Sequence, residues 1–116
     1  MLRKILSLLV VASLLPVNAQ HVAFKPFRHY KDRLAEFELE APIDSGTIVM
    51  LGDSMTEFGY DWNSRLGCDN IVNRGIAGDT ADGVLCRLDK ILAGAPRAIF
   101  LMVGINDLSH DLTAQE

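Results

Sequence analysis

The chain has 116 residues, of which 49% are hydrophobic and 22% are charged, a composition typical of one globular domain rather than a disordered or repeat protein. The formal net charge of −4 argues against a nucleic-acid partner, because binding to phosphates needs an excess of Lys and Arg. Two cysteines are too few for a disulfide-rich scaffold or a four-cysteine zinc site.

The amino end has the pattern of a cleavable secretory signal. Arg3 and Lys4 precede an uncharged apolar run over 5–15, which is shorter than the roughly 20 residues that cross a bilayer. Small residues follow at 17–19, where a signal peptidase cleaves. We therefore expect residues 1–19 to be a signal peptide and the protein to be secreted or periplasmic, with no membrane association after cleavage. An uncleaved anchor is the alternative.

Helical and strand patterns alternate along the rest of the chain. A first helix is predicted by apolar residues at three- and four-residue spacing, namely Phe27, Tyr30, Leu34 and Phe37. Three buried strands are predicted by short apolar runs that end at a glycine, over 47–51, 71–73 and 98–103.

A second long helix is predicted between the second and third strands. Asp79 or Thr80 is expected to cap it, and Gly94 and Pro96 to end it. One apolar face is predicted to carry Val84, Leu85, Leu88, Ile91 and Leu92. Continuous apolar strands separated by helices predict an α/β fold with a parallel sheet covered on both faces.

The two cysteines leave a choice open. Export allows a disulfide between Cys68 and Cys86. Cys86, however, falls within the apolar pattern of the second helix, where a buried thiol behaves as a small hydrophobic group. We expect two unpaired cysteines.

The carboxyl end has the pattern of a helix start. Thr113 and Glu116 are spaced as in a capping box, and the apolar strand at 98–103 is predicted at an edge of the sheet, where it would be prone to aggregation. We therefore expect residues 20–116 to be the amino-terminal part of a longer domain, truncated after the third strand.

A polar cluster follows each predicted strand, at 52–57, 73–80 and 104–107. Ligands of open parallel sheets bind beyond the carboxyl ends of the strands, so the three clusters are expected to share one rim. Ser54 supplies a hydroxyl and a backbone N–H, Gly75 an N–H that a ligand can approach closely, and Asn106 an amide. A hydroxyl surrounded by hydrogen-bond donors is suited to acyl transfer.

The three clusters resemble the first three sequence blocks of the GDSL, or SGNH, hydrolase family. The first block corresponds to 52–56, the second to Asn73, Gly75 and 78–79, and the third to 104–107. The pattern is most like the secreted bacterial acetylesterases and the platelet-activating-factor acetylhydrolase catalytic subunits of that family.

The resemblance implies a fold and a set of site residues. The fold is a flavodoxin-like three-layer sandwich with the first strand between the second and third. Ser54 is implied as the nucleophile, and the oxyanion hole is implied at Ser54, Gly75 and Asn106. The supporting residues are Asp53, Asn73, Asp79 and Asp107.

The resemblance also implies an activity, which is removal of a short acyl group, such as acetyl, from a carbohydrate or related alcohol, with no cofactor. Lysophospholipase or thioesterase action is the alternative within the family. The Asp-x-x-His block that the family carries near the carboxyl end of its full domain is missing. His21 and His29 have no Asp three residues earlier, and His110, which does follow Asp107 at that spacing, lies within the segment of the third block, where we expect a solvated loop position. We therefore expect the 116 residues alone to be inactive, and a non-catalytic ligand-binding module is the alternative from another class.

Simpler roles exist for the same residues. Ser54 is also a preferred helix cap, and Asn106 is a residue that often bonds its own backbone in turns. Asp53, Asp79 and Asp107 offer oxygen ligands for a hard cation, but their spacing fits no metal loop, so we expect them to accept backbone N–H groups and to bind no metal. A nucleotide-binding fold is disfavoured because Asp79 at a helix start would repel phosphate.

Overall fold

The structure is a computed structural model that describes residues 24–110. The predicted signal peptide, His21 and the predicted capping box at 113–116 lie outside the described residues. The elements, in chain order, are α1 (Arg28–Leu39), β1 (Ile48–Gly52), α2 (Ser54–Glu57), α3 (Trp62–Leu66), β2 (Ile71–Gly75), α4 (Ala81–Ala93), β3 (Ala98–Met102) and α5 (Ile105–Ser109). The predicted strands and both predicted long helices are confirmed, with bounds that differ by two residues at most.

The described strands form one parallel sheet in the order β2-β1-β3. Gly52, the last residue of β1, pairs with Gly75 of β2 on one side and with Met102 of β3 on the other. The three strands therefore end at the same level, and the segments that follow them leave from one rim. This order confirms the prediction that the first strand lies between the other two.

Helices lie on both faces of the sheet. On one face, Val49 and Leu51 of β1 are buried against Val84 and Ile91 of α4, with Val72 of β2 packed on the same cluster. Side chains alternate between faces along a strand, so the neighbours of Val72 point to the opposite face. There, the Asn73 side chain donates to backbone oxygens of α2 and the Asn63 side chain of α3 bonds the backbone of Ile71. This arrangement is that of a flavodoxin-like α/β sandwich.

Helix α1 packs beside α4. The buried Tyr30 hydroxyl donates to the backbone oxygen of Gly83 at 2.7 Å. At the other end of α1, the Arg74 guanidinium stacks 4.7 Å from the centre of the Phe37 ring and pairs with Glu40. These contacts connect α1 to α4 and to β2.

Helix α4 begins and ends as predicted, with Thr80 as its N-cap and Gly94 as its C-cap. The predicted apolar face is only partly right. Leu85 and Leu92 are 58% and 51% exposed, because each lies one residue, or about 100° of rotation, beyond the row formed by Val84, Leu88 and Ile91. The predicted burial of Cys86 is also wrong, because Cys86 lies two residues, or about 200° of rotation, beyond Val84. Cys68 is exposed as well, and the two cysteines are unpaired, as predicted.

Strand β3 is an edge strand among the described residues. It pairs with β1 on one side, and Phe100, Leu101 and Met102 are all largely exposed. Within 24–110, none of the helices combines the length and the apolar character that crossing a membrane requires.

Candidate functional site

Ser54 lies at the turn from β1 into α2. The helix is capped by the buried Asp53, whose carboxylate accepts the Met55 N–H at 3.0 Å. Ser54 is the first helical residue, and its hydroxyl bonds to no other group in the described part of the chain, where every buried side-chain N or O atom does have a partner. Ser54 is therefore not the helix cap, and its hydroxyl remains free to act on a ligand.

The turn before Ser54 requires a glycine. A Cβ at Gly52 would lie 2.2 Å from the Met102 carbonyl oxygen and 2.4 Å from Oγ1 of Thr56. The Asp53 N–H also donates to the Met102 oxygen, at 3.3 Å. The end of β1 is thus held close to the end of β3, and this contact fixes where α2 begins.

Asn73 and Gly75 connect the end of β2 to α2. The Asn73 amide donates to the backbone oxygens of Thr56 and Glu57, each at 3.0 Å. Its Oδ1 accepts the Gly75 N–H at 2.9 Å, and a Cβ at Gly75 would lie 2.1 Å from the Glu57 nitrogen. Gly75 is therefore required for close packing, and its N–H is already bonded. This arrangement does not support the expectation that the Gly75 N–H faces a ligand.

Gly78 differs from Gly75 in every one of these respects. It is exposed, its φ is +84°, and its N–H donates to no group within 24–110. The turn around it is closed by the Asp79 N–H, which donates to the Ile76 oxygen at 3.0 Å, and by the Ala77 N–H, which donates to the Glu57 carboxylate. The backbone N–H of Gly78 is therefore a free donor, in a loop that is held by hydrogen bonds of the residues on either side of it, Ala77 and Asp79.

The segment after β3 is bonded to this same loop. The Asn106 amide donates to the backbone oxygen of Asp79 at 2.8 Å, and the Asp107 carboxylate accepts the Ala81 N–H at 3.1 Å. Asn106 is therefore not a locally bonded turn residue. Its NH₂ group has a second hydrogen with which to bind a ligand. Asp107 supports the start of α4, as predicted for the aspartates.

Asp79 forms a buried ion pair with Arg87. An Asp79 carboxylate oxygen lies 2.8 Å from Nη2 and 3.1 Å from Nε of Arg87, and the other accepts the Thr80 N–H at 2.9 Å. Burial raises the pKa of Asp79, and the charge of Arg87 opposes that shift. Burial likewise lowers the pKa of Arg87, against the effect of Asp79. Both carboxylate oxygens of Asp79 therefore accept hydrogen bonds from within the fold.

Arg87 was not among the predicted site residues. A signal for it existed, since Arg87 lies three residues after Val84 and four before Ile91. That spacing places it on the buried face of α4. A lone arginine on a buried helical face needs a carboxylate partner, and Asp79 was already a candidate site residue.

No histidine acts on Ser54 in the described region. Nε2 of His29 lies 2.9 Å from the Glu57 carboxylate, and His110 is exposed at the end of α5. Neither forms a hydrogen bond with Ser54. Within residues 24–110, no group of three or more His, Cys, Asp or Glu side chains is placed to hold a metal ion.

Comparison with known proteins finds similarity to a solved structure. No family model matches the chain, and no curated protein matches it. The chain is similar to a solved structure from Streptococcus pneumonia described as "a putative platelet activating factor", with 31% identity and a TM-score of 0.60 over 72% of this chain. It spans 41% of the length of that protein. The similarity agrees with the α/β fold described above.

Proposed function

We propose that this chain carries the nucleophile of a secreted serine ester hydrolase of the GDSL/SGNH type. The substrate is an ester of a short acyl group, such as acetyl, with a carbohydrate or related alcohol. One observation carries the proposal. The free hydroxyl of Ser54 lies at the rim where the β2–α4 loop, residues 76–80, is bonded to the Asn106 amide. The same loop carries the unused N–H of Gly78.

The chemistry follows from the groups at this rim. The Ser54 oxygen attacks the ester carbonyl carbon, and the alcohol leaves as the acyl-enzyme forms, which water then hydrolyses. The N–H of Ser54 and the amide of Asn106 stabilise the oxyanion. We propose the N–H of Gly78 as the third donor in place of Gly75, because the Gly75 N–H is bonded to Asn73. Loss of one such donor typically raises the barrier by about 3 to 4 kcal/mol.

The general base is proposed to be a histidine from outside residues 24–110, in the Asp-x-x-His pattern that the resemblance implies. A serine hydroxyl is a weak nucleophile without such a base. Sequencing the gene beyond codon 116 tests this point. An in-frame Asp-x-x-His is expected, and a coding region without one would contradict it. Export through a signal at 1–19 is part of the same proposal.

A second substrate class is favoured by two exposed apolar side chains. Met55 and Ile105 are about 60% exposed and directly adjoin Ser54 and Asn106 in sequence. Apolar groups beside a nucleophile suit a longer acyl chain, as in a lysophospholipase or thioesterase. Rates on p-nitrophenyl acetate, butyrate and decanoate separate the two classes, since a short-acyl esterase is expected to be fastest on the acetate.

The deciding experiment is a serine substitution in the native gene product. Ser54→Ala is expected to abolish hydrolysis of p-nitrophenyl acetate while leaving the circular dichroism spectrum unchanged. Ser45→Ala is the matched control, because Ser45 is exposed in the turn before β1, at the other end of the strand. Activity retained by Ser54→Ala would contradict the proposal. An inactive wild type that still binds an acetylated sugar in a calorimeter would support the non-catalytic alternative.

A further inference from the structure

One buried guanidinium lies where the ends of β1 and β2 meet the β2–α4 loop. Nη1 of Arg87 donates to the backbone oxygen of Arg74 in β2 at 2.8 Å, and Nη2 donates to that of Gly52 in β1 at 3.1 Å. Nε and Nη2 both donate to the Asp79 carboxylate. The Arg87 side chain is 5% exposed and that of Asp79 is fully buried.

These bonds reach all three polar clusters of the proposed site. Gly52 lies two residues before Ser54, and Asp79 directly follows Gly78. The backbone oxygen of Asp79 in turn accepts the Asn106 amide. Arg87 is therefore bonded to the backbone of the first cluster, to the carboxylate of the second, and through Asp79 to the third.

We propose that Arg87 is a positioning residue, which sets the distance between the Ser54 turn and the loop that carries Gly78 and Asn106. The inference rests on the proposed function and adds a residue to it. Arg87 does not touch the reacting atoms, since its donors are bonded to Gly52, Arg74 and Asp79.

Stability alone does not account for this ion pair. A buried pair of charges usually contributes little net stability compared with apolar side chains of similar volume, because desolvation offsets the attraction. A guanidinium, however, has donors in a fixed planar fork and bonds several oxygens at defined angles. A lysine ammonium has all its N–H donors on one nitrogen, so it cannot reach the same acceptors, which lie around three different nitrogens of the guanidinium. The arrangement thus depends on the geometry of arginine as well as on its charge.

The kinetic test compares Arg87→Lys with Arg28→Lys in the native gene product. Arg28 is exposed at the start of α1 and, among residues 24–110, pairs only with Asp32, so this control makes the same chemical change away from the site. The rate of p-nitrophenyl acetate hydrolysis is divided by the concentration of sites that diisopropyl fluorophosphate titrates. A loss of folded protein therefore does not lower the kcat per site. We expect kcat per site to fall about 100-fold in Arg87→Lys with little change in KM. Arg28→Lys should match the wild type.

Amide hydrogen exchange provides a second readout that needs no activity. The Ile76 N–H donates to the Gly52 oxygen and the Thr80 N–H to the Asp79 carboxylate. Both amides should exchange faster in Arg87→Lys than in Arg28→Lys, while the amides of the β1–β3 ladder are unchanged. Unchanged exchange at Ile76 and Thr80, or a full kcat per site in Arg87→Lys, would overturn the inference.

Two outcomes need separate treatment. If the wild type has no more activity than Ser54→Ala, the proposed function fails, and the exchange rates alone then decide whether Arg87 positions the loop. If Arg87→Lys does not fold, the double variant Asp79→Asn/Arg87→Gln replaces it, because it leaves no unpaired buried charge. A double variant that folds with wild-type kcat per site would overturn the inference, and a loss of about 100-fold supports it.

Discussion

At the scale of single residues, two glycines three positions apart differ in whether the backbone N–H is already bonded within the fold. Gly75 is buried against the backbone of Glu57 and its N–H is bonded to Asn73. Gly78 is exposed at a positive φ, and its N–H is unused within 24–110. The Gly75 N–H is thus part of the fold, whereas the Gly78 N–H is available to a substrate oxygen.

That Ser54 and Asn106 lie at one rim of the sheet could be predicted from the sequence, because each follows a recognisable strand and the carboxyl ends of parallel strands meet. The choice between Gly75 and Gly78 could not be made in the same way. It depends on where the Asn73 side chain points, which no spacing rule reveals. Arg87 was missed because an arginine within a helix is usually solvated. Its spacing from Val84 and Ile91 indicated a buried position, but only the structure shows its bonds to Gly52, Arg74 and Asp79.

Tyr30 gives a prediction about alkaline pH. Burial, with a smaller contribution from the Asp79 charge, raises the pKa of Tyr30 from 10.0 to about 12. The folded state therefore resists ionisation of Tyr30 more than the unfolded chain does. The stability that depends on the neutral phenol is complete below pH 10 and decreases as the pH rises from about 10 towards 12.

Urea unfolding at pH 8, 10 and 11 measures this effect. Tyr30→Phe should lose about 1 kcal/mol at pH 8, because the hydrogen bond to the Gly83 oxygen is removed. Its free energy of unfolding should then decrease less with pH than that of the wild type. Tyr60→Phe, at a position that is 71% exposed, is the control and should follow the wild type. If the free energy of unfolding decreases equally with pH in Tyr30→Phe and in the wild type, Tyr30 does not contribute to the loss of stability at alkaline pH.

At the scale of secondary-structure elements, the prediction was accurate where local signals determine the structure. A glycine ends β1 and β2 and follows β3 two residues later, and Thr80 caps α4, so these bounds could be predicted from local sequence signals. Which apolar side chains of α4 are exposed could not be predicted in this way. Leu85 and Leu92 fit an apolar helical pattern as well as Val84 does, and only the position of the sheet decides which of them is buried.

The cap of α4 matters to the site because the helix begins directly after the β2–α4 loop. The Thr80 hydroxyl accepts the Gly83 N–H at 3.3 Å. Thr80→Ala should lower the free energy of unfolding by about 1 kcal/mol, whereas Thr80→Ser, which keeps the hydroxyl, should lose far less. Thermal or urea unfolding measures both variants. If serine and alanine are equally destabilising, the hydroxyl is not the source of the stability.

At the scale of the whole molecule, residues 24–110 include an apolar strand, β3, at an edge of the described sheet. Phe100 and Leu101 of β3 are each nearly 60% exposed, and no described strand pairs with the outer edge of β3. Edge strands without a charge, a proline or a bulge tend to associate with other chains. We therefore predict that the isolated 20–116 polypeptide associates with itself and is poorly soluble.

Sedimentation velocity on that polypeptide tests the role of β3. Phe100→Lys should shift the distribution towards monomer, because a charge on the edge opposes strand pairing. Leu39→Lys is the matched control, since Leu39 is 89% exposed at the end of α1 and far from β3 in the chain. A monomeric wild type, or an equal shift by both variants, would contradict association through the edge of the sheet.

Covalent labelling of the native gene product shows directly whether Ser54 is the nucleophile. The protein is treated with diisopropyl fluorophosphate, digested and mapped by mass spectrometry. We expect one diisopropylphosphoryl adduct, on Ser54, formed by the folded protein and absent after heat denaturation. An adduct on another residue, or none under conditions in which the protein is folded, would contradict the assignment of Ser54 as the nucleophile.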